Sequence, residues 1–251
     1  MADQSSTTRF SDRVADYTKY RPDYPASVYQ FLQQHYRLDK RSVIADIGAG
    51  TGIFCEPLLK RGCNVMAVEP NGPMREACDA RLSCWSQYRS VAGTAENTTL
   101  ADASVDLITA AQAFHWFDQT ACRCEFARVL KPAGGTALVW NRRDDIGAPF
   151  QSDYESLLRE RVPAYSDVSH KSLSDAEIAQ WFDDDIEVRQ FEHEQRFDFD
   201  SLCGRLRSSS YCPTPDTHAY TSLIDELRQI FERYAEGNEV RFIYATQVYA
   251  G

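Results

Sequence analysis

The chain lacks any apolar run of membrane-spanning length. Its longest uncharged stretches, Tyr24 to Tyr36 and Leu107 to Phe117, fall far short of the roughly 20 apolar residues that a helical span needs, and the mean hydropathy is −0.47. A soluble protein without a membrane span is expected. Positive charge is also short: 27 Lys and Arg stand against 37 Asp and Glu, a formal net charge of −10. That balance disfavours a broad footprint on nucleic-acid phosphates or anionic lipid, while leaving room for a local basic pocket. No C-x-x-C pair occurs among the eight cysteines, and the five histidines show no H-E-x-x-H or similar ligand spacing, so no metal is expected. Cys122 and Cys124, the one close pair, fall in a helical pattern where two residues turn through about 200°, which puts the thiols on opposite faces. Free thiols serving as small hydrophobes in a reducing compartment are the expectation. The opening residues carry no basic segment followed by an apolar one, so a cytoplasmic location is expected. Internal repeats, low-complexity tracts and Pro/Gly/Ser-rich linkers are missing too, which removes disordered and fibrous classes.

What is present is an alternation of short apolar runs with helical stripes, the pattern of βαβ units. A helix reads from Pro25 with Val28, Phe31, Leu32 and Tyr36 on one face. Strands read at 42–47, 64–69, around 90–92, at 105–110 and at 136–140, with helices at about 53–60 (capped by Gly62), 73–82 and 118–130 between them. Pro57 either sits in a first turn or bends its helix. Asp118 reads as an N-cap. Beyond Trp140, residues 149–180 lean helical, 186–199 alternate like a strand, 217–234 form an amphipathic helix and 240–249 a last strand. The first strand runs into Gly48-x-Gly50-x-Gly52 and a helix, a tight turn that lets backbone approach a ligand at a helix N-terminus. A dinucleotide fingerprint needs glycine at position 53, where Ile stands, and Glu69 closes the next strand where nucleoside-binding α/β folds place an acidic residue. A nucleoside ligand is favoured over a dinucleotide.

Five ordered motifs then point one way: 43–52 (VIADIGAGTG), Val68-Glu69-Pro70, Gly93-Thr94-Ala95-Glu96, 111–117 (AQAFHWF) and 128–135 (RVLKPAGG). Together they resemble class I S-adenosylmethionine-dependent methyltransferases, over roughly residues 40 to 142. Tyr17-x-x-Tyr20-Arg21-Pro22-x-Tyr24-Pro25, Phe114-His115-Trp116 and Trp140-Asn141-Arg142-Arg143-Asp144 are similar to the small-molecule branch that includes trans-aconitate-type and ubiquinone/menaquinone-type enzymes. The resemblance implies an α/β, Rossmann-like, seven-stranded, mostly parallel sheet with an antiparallel last strand, 186–199 and 240–249 pairing antiparallel at one edge, and a helical insertion or lid. It also implies one domain: N-terminal lid helices at 1–39, a cofactor core at 40–144, a substrate-side insertion at 145–235 and the last strand at 240–251.

The cofactor implied is S-adenosyl-L-methionine, and the partner a small-molecule methyl acceptor. Asp46, Gly48, Ala49 and Gly50 would line its methionine part, Glu69 its ribose, Pro70 and Met74 the adenine face, Ala95 and Glu96 the adenine edge. Gln112 would sit by the methyl donor. Arg21 either reaches the cofactor carboxylate or is a surface arginine, and Tyr17, Tyr20 and Tyr24 read as a lid or as a plain helix face. Singly, Asp46 is also readable as a cap of the glycine turn and Glu69 as a solvated strand end. His115 is the catalytic candidate, its aromatic flanks expected to desolvate it and keep it neutral, with a packed core histidine as the alternative. A carboxylate acceptor would need no base, whereas a phenol, hydroxyl or carbon acid would recruit His115. Arg205, Arg207 and 208–211 read either as polar lining of the acceptor pocket or as a solvated helix end. Two rival classes remain: a non-catalytic adenosyl-ligand-binding protein and a nicotinamide-dependent oxidoreductase.

Overall fold

A computed structural model describes residues 13–143, 148–165 and 173–251. Residues 1–12 of the predicted N-terminal segment, Asp144, and residues 145–147 and 166–172 of the insertion, His170 included, lie outside the described residues. The expected strands form β1 (Val43–Ile47), β2 (Asn64–Val68), β3 (Tyr88–Val91), β4 (Val105–Ala111), β5 (Leu130–Arg143), β6 (Glu187–Phe197) and β7 (Val240–Ala250). They make one sheet in the order β3-β2-β1-β4-β5-β7-β6, with β7 running antiparallel to both neighbours and β1 to β5 mutually parallel. The seven-stranded expectation and its antiparallel edge therefore hold. β1 and β4 are apolar and buried nearly throughout, as strands covered on both faces must be, whereas β6 at the edge alternates and exposes Arg189, Glu192 and Arg196.

Helices α1 (Val14–Tyr20), α2 (Ala26–His35), α3 (Cys55–Lys60), α4 (Gly72–Leu82) and α5 (Gln119–Val129) accompany the parallel half. Pro57 occupies the third position of α3, where its missing N–H has no intrahelical acceptor to lose, so it does not bend the helix. Gly62 ends α3 in a Schellman pair, its N–H on the Leu59 carbonyl and that of Cys63 on Leu58. Asp118 caps α5 by accepting from Thr120 and Ala121. The predicted fifth strand starts earlier than its apolar run: Leu130 already pairs with Val105, and the intervening 131–134 bulge out, held where the Lys131 ammonium meets the Asp106 carboxylate at 2.8 Å. On one face of the sheet α2, α3 and α4 cover Ile44, Val65, Leu107 and Val139; on the other, Phe126 and Val129 of α5 pack with Ile47, Ile108 and Leu138.

The insertion builds a further core. Helices α6 (Pro149–Arg161), α8 (Phe199–Arg207) and α9 (His218–Tyr234) bury Tyr154, Leu158, Leu202, Leu206, Leu223 and Leu227 against Phe242 and Tyr244 of β7, while α7 (Asp175–Trp181) packs by the sheet. The alternation expected to run to residue 199 stops at Phe197, because Asp198 accepts from the Ser201 amide and starts α8. α8 carries α1 on its back. The Tyr20 ring lies so close to Gly204 that an added Cβ would come within 2.2 Å of it. Arg13 donates to the carbonyls of Arg207, Ser209 and Cys212, Arg21 to that of Ser208, and Arg207 pairs with Asp16 at 2.9 Å. The arginines thus satisfy carbonyls at and just beyond the C-terminal end of α8. No helix among the described residues is long and apolar enough to cross a membrane.

Gly204→Ala sets a helix-propensity gain of about 1 kcal/mol against the contact with Tyr20. Hydrogen exchange should show faster exchange confined to residues 14–20, with strands β1 to β5 as protected as before.

Candidate active site

At the carboxyl ends of β1 and β2 the chain ties itself together through backbone. Gly48 and Ala49 both donate to the Val68 carbonyl, at 2.9 and 3.1 Å. The turn needs left-handed backbone, φ +70° at Gly48 and +56° at Gly50, and a Cβ on Gly48 would stand 2.7 Å from that of Ala113. Gly50 then donates to Glu69 Oε2 at 2.8 Å, and Asn71 to Glu69 Oε1 at 2.9 Å. Each carboxylate oxygen keeps further acceptor capacity. Burial raises the Glu69 pKa and the two amides oppose that rise.

Asp46 is 1% exposed, with Thr109 Oγ1 donating at 2.7 Å to one oxygen and the Cys55 thiol at 3.1 Å to the other. Burial outweighs these two bonds and pushes its pKa up to about 6. Asp46 is thus not the cap of the glycine turn, and the buried Glu69 is not a solvated strand end. Neither supporting donor was foreseen, although Thr109 is a polar residue inside an apolar strand and Cys55 opens the helix after the turn.

A cavity of about 530 Å³, part of it open to solvent, lies beside Asp46. Gly48 and Ala49 line it from the β1 turn, Ala111 and Gln112 from the end of β4, Asn141 from β5, Tyr17, Arg21 and Tyr24 from the N-terminal segment, and Arg205 from α8. Gln112 is held there at φ +57° with its side-chain amide donating to the Asn141 carbonyl at 3.0 Å. Asn141 in turn donates to the Asp23 carbonyl at 2.9 Å, tying β5 to the N-terminal segment. Tyr17 sits over the glycine turn and under the Arg21 guanidinium, 4.8 Å from its ring centre. Arg205 is buried, donating to the hydroxyls of Ser209 and Tyr244, which removes the solvated-helix-end reading for that residue.

Of the expected residues, Asp46, Gly48, Ala49, Gln112 and Arg21 thus share one wall, with Gly50 and Glu69 bonded to each other alongside it. Pro70, Met74, Ala95 and Glu96 are not part of this lining. Pro70 is exposed beside Glu69; Met74 is buried in the first turn of α4, its amide on the Asn71 side chain; Ala95 is buried; and Glu96 accepts from the Asp118 amide at 2.9 Å. His115 is also off this wall. It is the middle residue of a one-turn 3-10 helix, Phe114–Trp116, half-buried, with its ring 4.9 Å from that of Trp116. Its flanking Phe114 turns into the core against Trp181.

Residues 45–138 match the methyltransferase domain family. Over 240 residues the chain is 32% identical to an uncharacterized methyltransferase of Mycobacterium tuberculosis, an alignment covering 94% of this chain and 92% of that protein. The chain belongs to the class I S-adenosylmethionine-dependent methyltransferases. A fission yeast methyltransferase-like protein is 36% identical over 172 residues, 68% of this chain and 66% of that protein. The fold recurs in a solved structure from Anaeromyxobacter dehalogenans described as that of a type II methyltransferase, with a TM-score of 0.67 at 22% identity, covering 92% of this chain and 97% of that one.

The Asp46 pKa of about 6 has a thermodynamic sign. An unfolded aspartate titrates near about 3.9, so the native state holds the extra proton between the two values. This contribution is fully present below about pH 4 and lost as pH rises through about 6, for a total of about 3 kcal/mol. Asp46→Asn should therefore match its parent in urea denaturation near pH 4 and gain up to that amount over it at pH 7.5.

Proposed function

We propose that the chain moves a methyl group from S-adenosylmethionine to a small-molecule acceptor. One observation carries this: a buried carboxylate in need of a cation, Asp46, lies beside a glycine turn whose amide is fastened to a second buried carboxylate, Glu69. The arrangement fits the cofactor's chemistry. Asp46 would meet the ammonium of its methionine part, Gly48, Ala49 and Gly50 give its chain close backbone, and the remaining acceptor capacity of Glu69 suits the ribose hydroxyls. Pro70 and Met74 would pack on the adenine face, with Ala95 and Glu96 at its edge. Arg21 would take the methionine carboxylate, and Gln112, fixed through Asn141, would face the transferred methyl.

When bound, the cofactor supplies an electrophilic methyl on a sulfonium. The chain's own task is then to hold an acceptor in line at about 3–3.5 Å and to keep water out. α1 and the Arg21 to Tyr24 segment supply that roof. His115, off the lining, receives no proton-transfer step in this reading. His115→Ala should accordingly leave activity per folded molecule within about twofold, where a positioned acid or base would cost about 100-fold or more.

Calorimetric titration with S-adenosylmethionine and with NAD, followed by an acceptor screen that reads homocysteine release, tests the whole reading. Tight binding of the first, weak binding of the second and turnover with some acceptor are expected. Binding without turnover would favour an adenosyl-ligand-binding protein. Glu69→Ala should weaken S-adenosylmethionine about 10-fold to 100-fold, the cost of a charge-assisted hydrogen bond. An unchanged dissociation constant in a folded variant removes Glu69 from the site.

A further inference from the structure

We propose that Thr246 of β7 is a positioning residue: acting through Asn141, it seats the Arg21 to Tyr24 segment over the cavity in step with Gln112. This rests on the methyl-transfer reading above, in which that segment closes over the cofactor. Val240, Phe242, Tyr244, Thr246 and Val248 alternate along one face of β7, and each is no more than 1% exposed. Thr246 is the small polar member of that row. Valine has the same shape, so the hydroxyl is not there for volume, and a hydroxyl so deeply buried requires a partner. The partner stands directly across the strands. In the β5–β7 register Asn141 lies opposite Thr246, and the hydroxyl donates to Asn141 Oδ1 at 2.5 Å.

The remaining groups of Asn141, itself 9% exposed, face the site. Its side-chain N–H donates to the Asp23 carbonyl at 2.9 Å, and its main-chain carbonyl accepts from the Gln112 side chain at 3.0 Å. One residue thereby holds both the roof and the end of β4. Asp23 lies between Arg21 and Tyr24, which both line the cavity, and Pro22 and Pro25 restrict that stretch, so fixing the Asp23 carbonyl fixes its neighbours as well. His193 of β6 adds a second hold. Its Nε2 stands 3.0 Å from the Asp23 carboxylate, and its ring stacks on that of Tyr244. The antiparallel edge of the sheet, which supplies none of the glycine turn, thus supplies the anchorage of the roof.

Thr246 governs this anchorage because, among the described residues, Asn141 Oδ1 has no other donor. Without the hydroxyl a buried acceptor is left unpaired, a costly state that the carboxamide escapes by turning toward the open cavity. That turn withdraws its N–H from Asp23. The roof is then released, and Arg21 no longer stands fixed where the methionine carboxylate would lie. Gln112 keeps its bond, since a main-chain carbonyl does not turn with its side chain. The roof and the strand end, held by one residue in the parent chain, become independent.

The test titrates the intact chain and its variants with S-adenosylhomocysteine by calorimetry, then follows hydrogen exchange of the saturated chains. Thr246→Val should weaken the ligand at least about threefold, the share of one buried hydrogen bond, and should quicken exchange across residues 20–24 while β5 and β7 stay as protected as in the parent. Thr246→Ser, which restores the hydroxyl, should bring the affinity back to within about twofold of the parent and slow the exchange again. A threonine that merely supports the fold gives a different pattern: a lower melting temperature, with the affinity and the exchange of residues 20–24 unchanged. An affinity loss below about threefold, an equal loss in Thr246→Ser, or faster exchange spread through β5 and β7 overturns the inference alone. Should Thr246→Val fail to fold, Asn141→Ala, which removes the donor to Asp23 directly, should reproduce both the loss and the local exchange, and parental values there overturn the inference. Absence of S-adenosylhomocysteine binding in the parent chain overturns the methyl-transfer reading and this inference with it.

Discussion

Two amides sharing one carbonyl hold the site in register. Because β1 and β2 are parallel and Ile47 lies opposite Val68, the chain leaving β1 reaches the end of β2 at once, and the amides of Gly48 and Ala49 both close on the Val68 carbonyl. That pair of hydrogen bonds fixes the turn over the end of β2, and the next residue along the chain is Glu69. The Gly50 amide is then within reach of its carboxylate, and Asp46, one step before the strand end, is left facing the cavity instead of the turn. Only residues without a Cβ clash can make the path, since the turn is left-handed at Gly48 and Gly50 and Gly48 is pressed against Ala113. The carboxylate arrangement is therefore a consequence of strand register and backbone, and side-chain choice at 46 and 69 merely uses it.

Charge is distributed across the cavity in a way the net charge of −10 does not suggest. The sheet end offers Asp46 and Glu69; the N-terminal segment offers Arg21 and α8 offers Arg205. Each group is largely removed from water, so each retains more of its field than a surface charge would. The protein tolerates the acidic side by letting Asp46 hold its proton to about pH 6. No such escape exists for guanidinium, which stays charged at any working pH. The basic side is consequently the stronger constraint on what can enter.

The parallel half of the fold was legible because its strands are short, mostly apolar runs and its turns use residues with one local meaning: Gly48-x-Gly50-x-Gly52, Asp118 as a cap, Gly62 as a stop. The insertion was less legible. Leu202, Cys203 and Leu206 make a genuine helical stripe, but Asp200, Arg205 and Arg207 dilute it, and the preceding alternation runs visually into it, so α8 passed as the tail of a strand and a polar stretch. Arg205 could be named but not placed, because its meaning depends on Tyr244 and Ser209, and Tyr244 comes from a strand far along the chain. The buried Glu125, which accepts from Thr98 and pairs with Arg128 at 2.7 Å, carries nothing in the sequence that separates it from an exposed helix carboxylate. The 111–117 segment resolved into a one-turn helix in which Phe114 packs inward and His115 lies against Trp116, while Gln112 takes the strand-end position by the cavity.

Helix α1, the lid of the proposed reading, is held to the rest of the fold through polar contacts more than through burial. α1 buries none of its residues completely, and what holds it down is a set of arginine bonds at the C-terminal end of α8 together with the Tyr20 contact at Gly204. Half-exposed bonds of this kind contribute about 0.5–1.5 kcal/mol each, which places the lid among locally opening segments. Closure, however, is also what removes Arg21 from water, a cost with no counter-ion to offset it among the described residues. An anion meeting Arg21 or Arg205 would lower that cost only in the closed arrangement, so its affinity and the closed population must rise together. Water exclusion over the site then need not be a permanent property of the fold; it follows from occupancy.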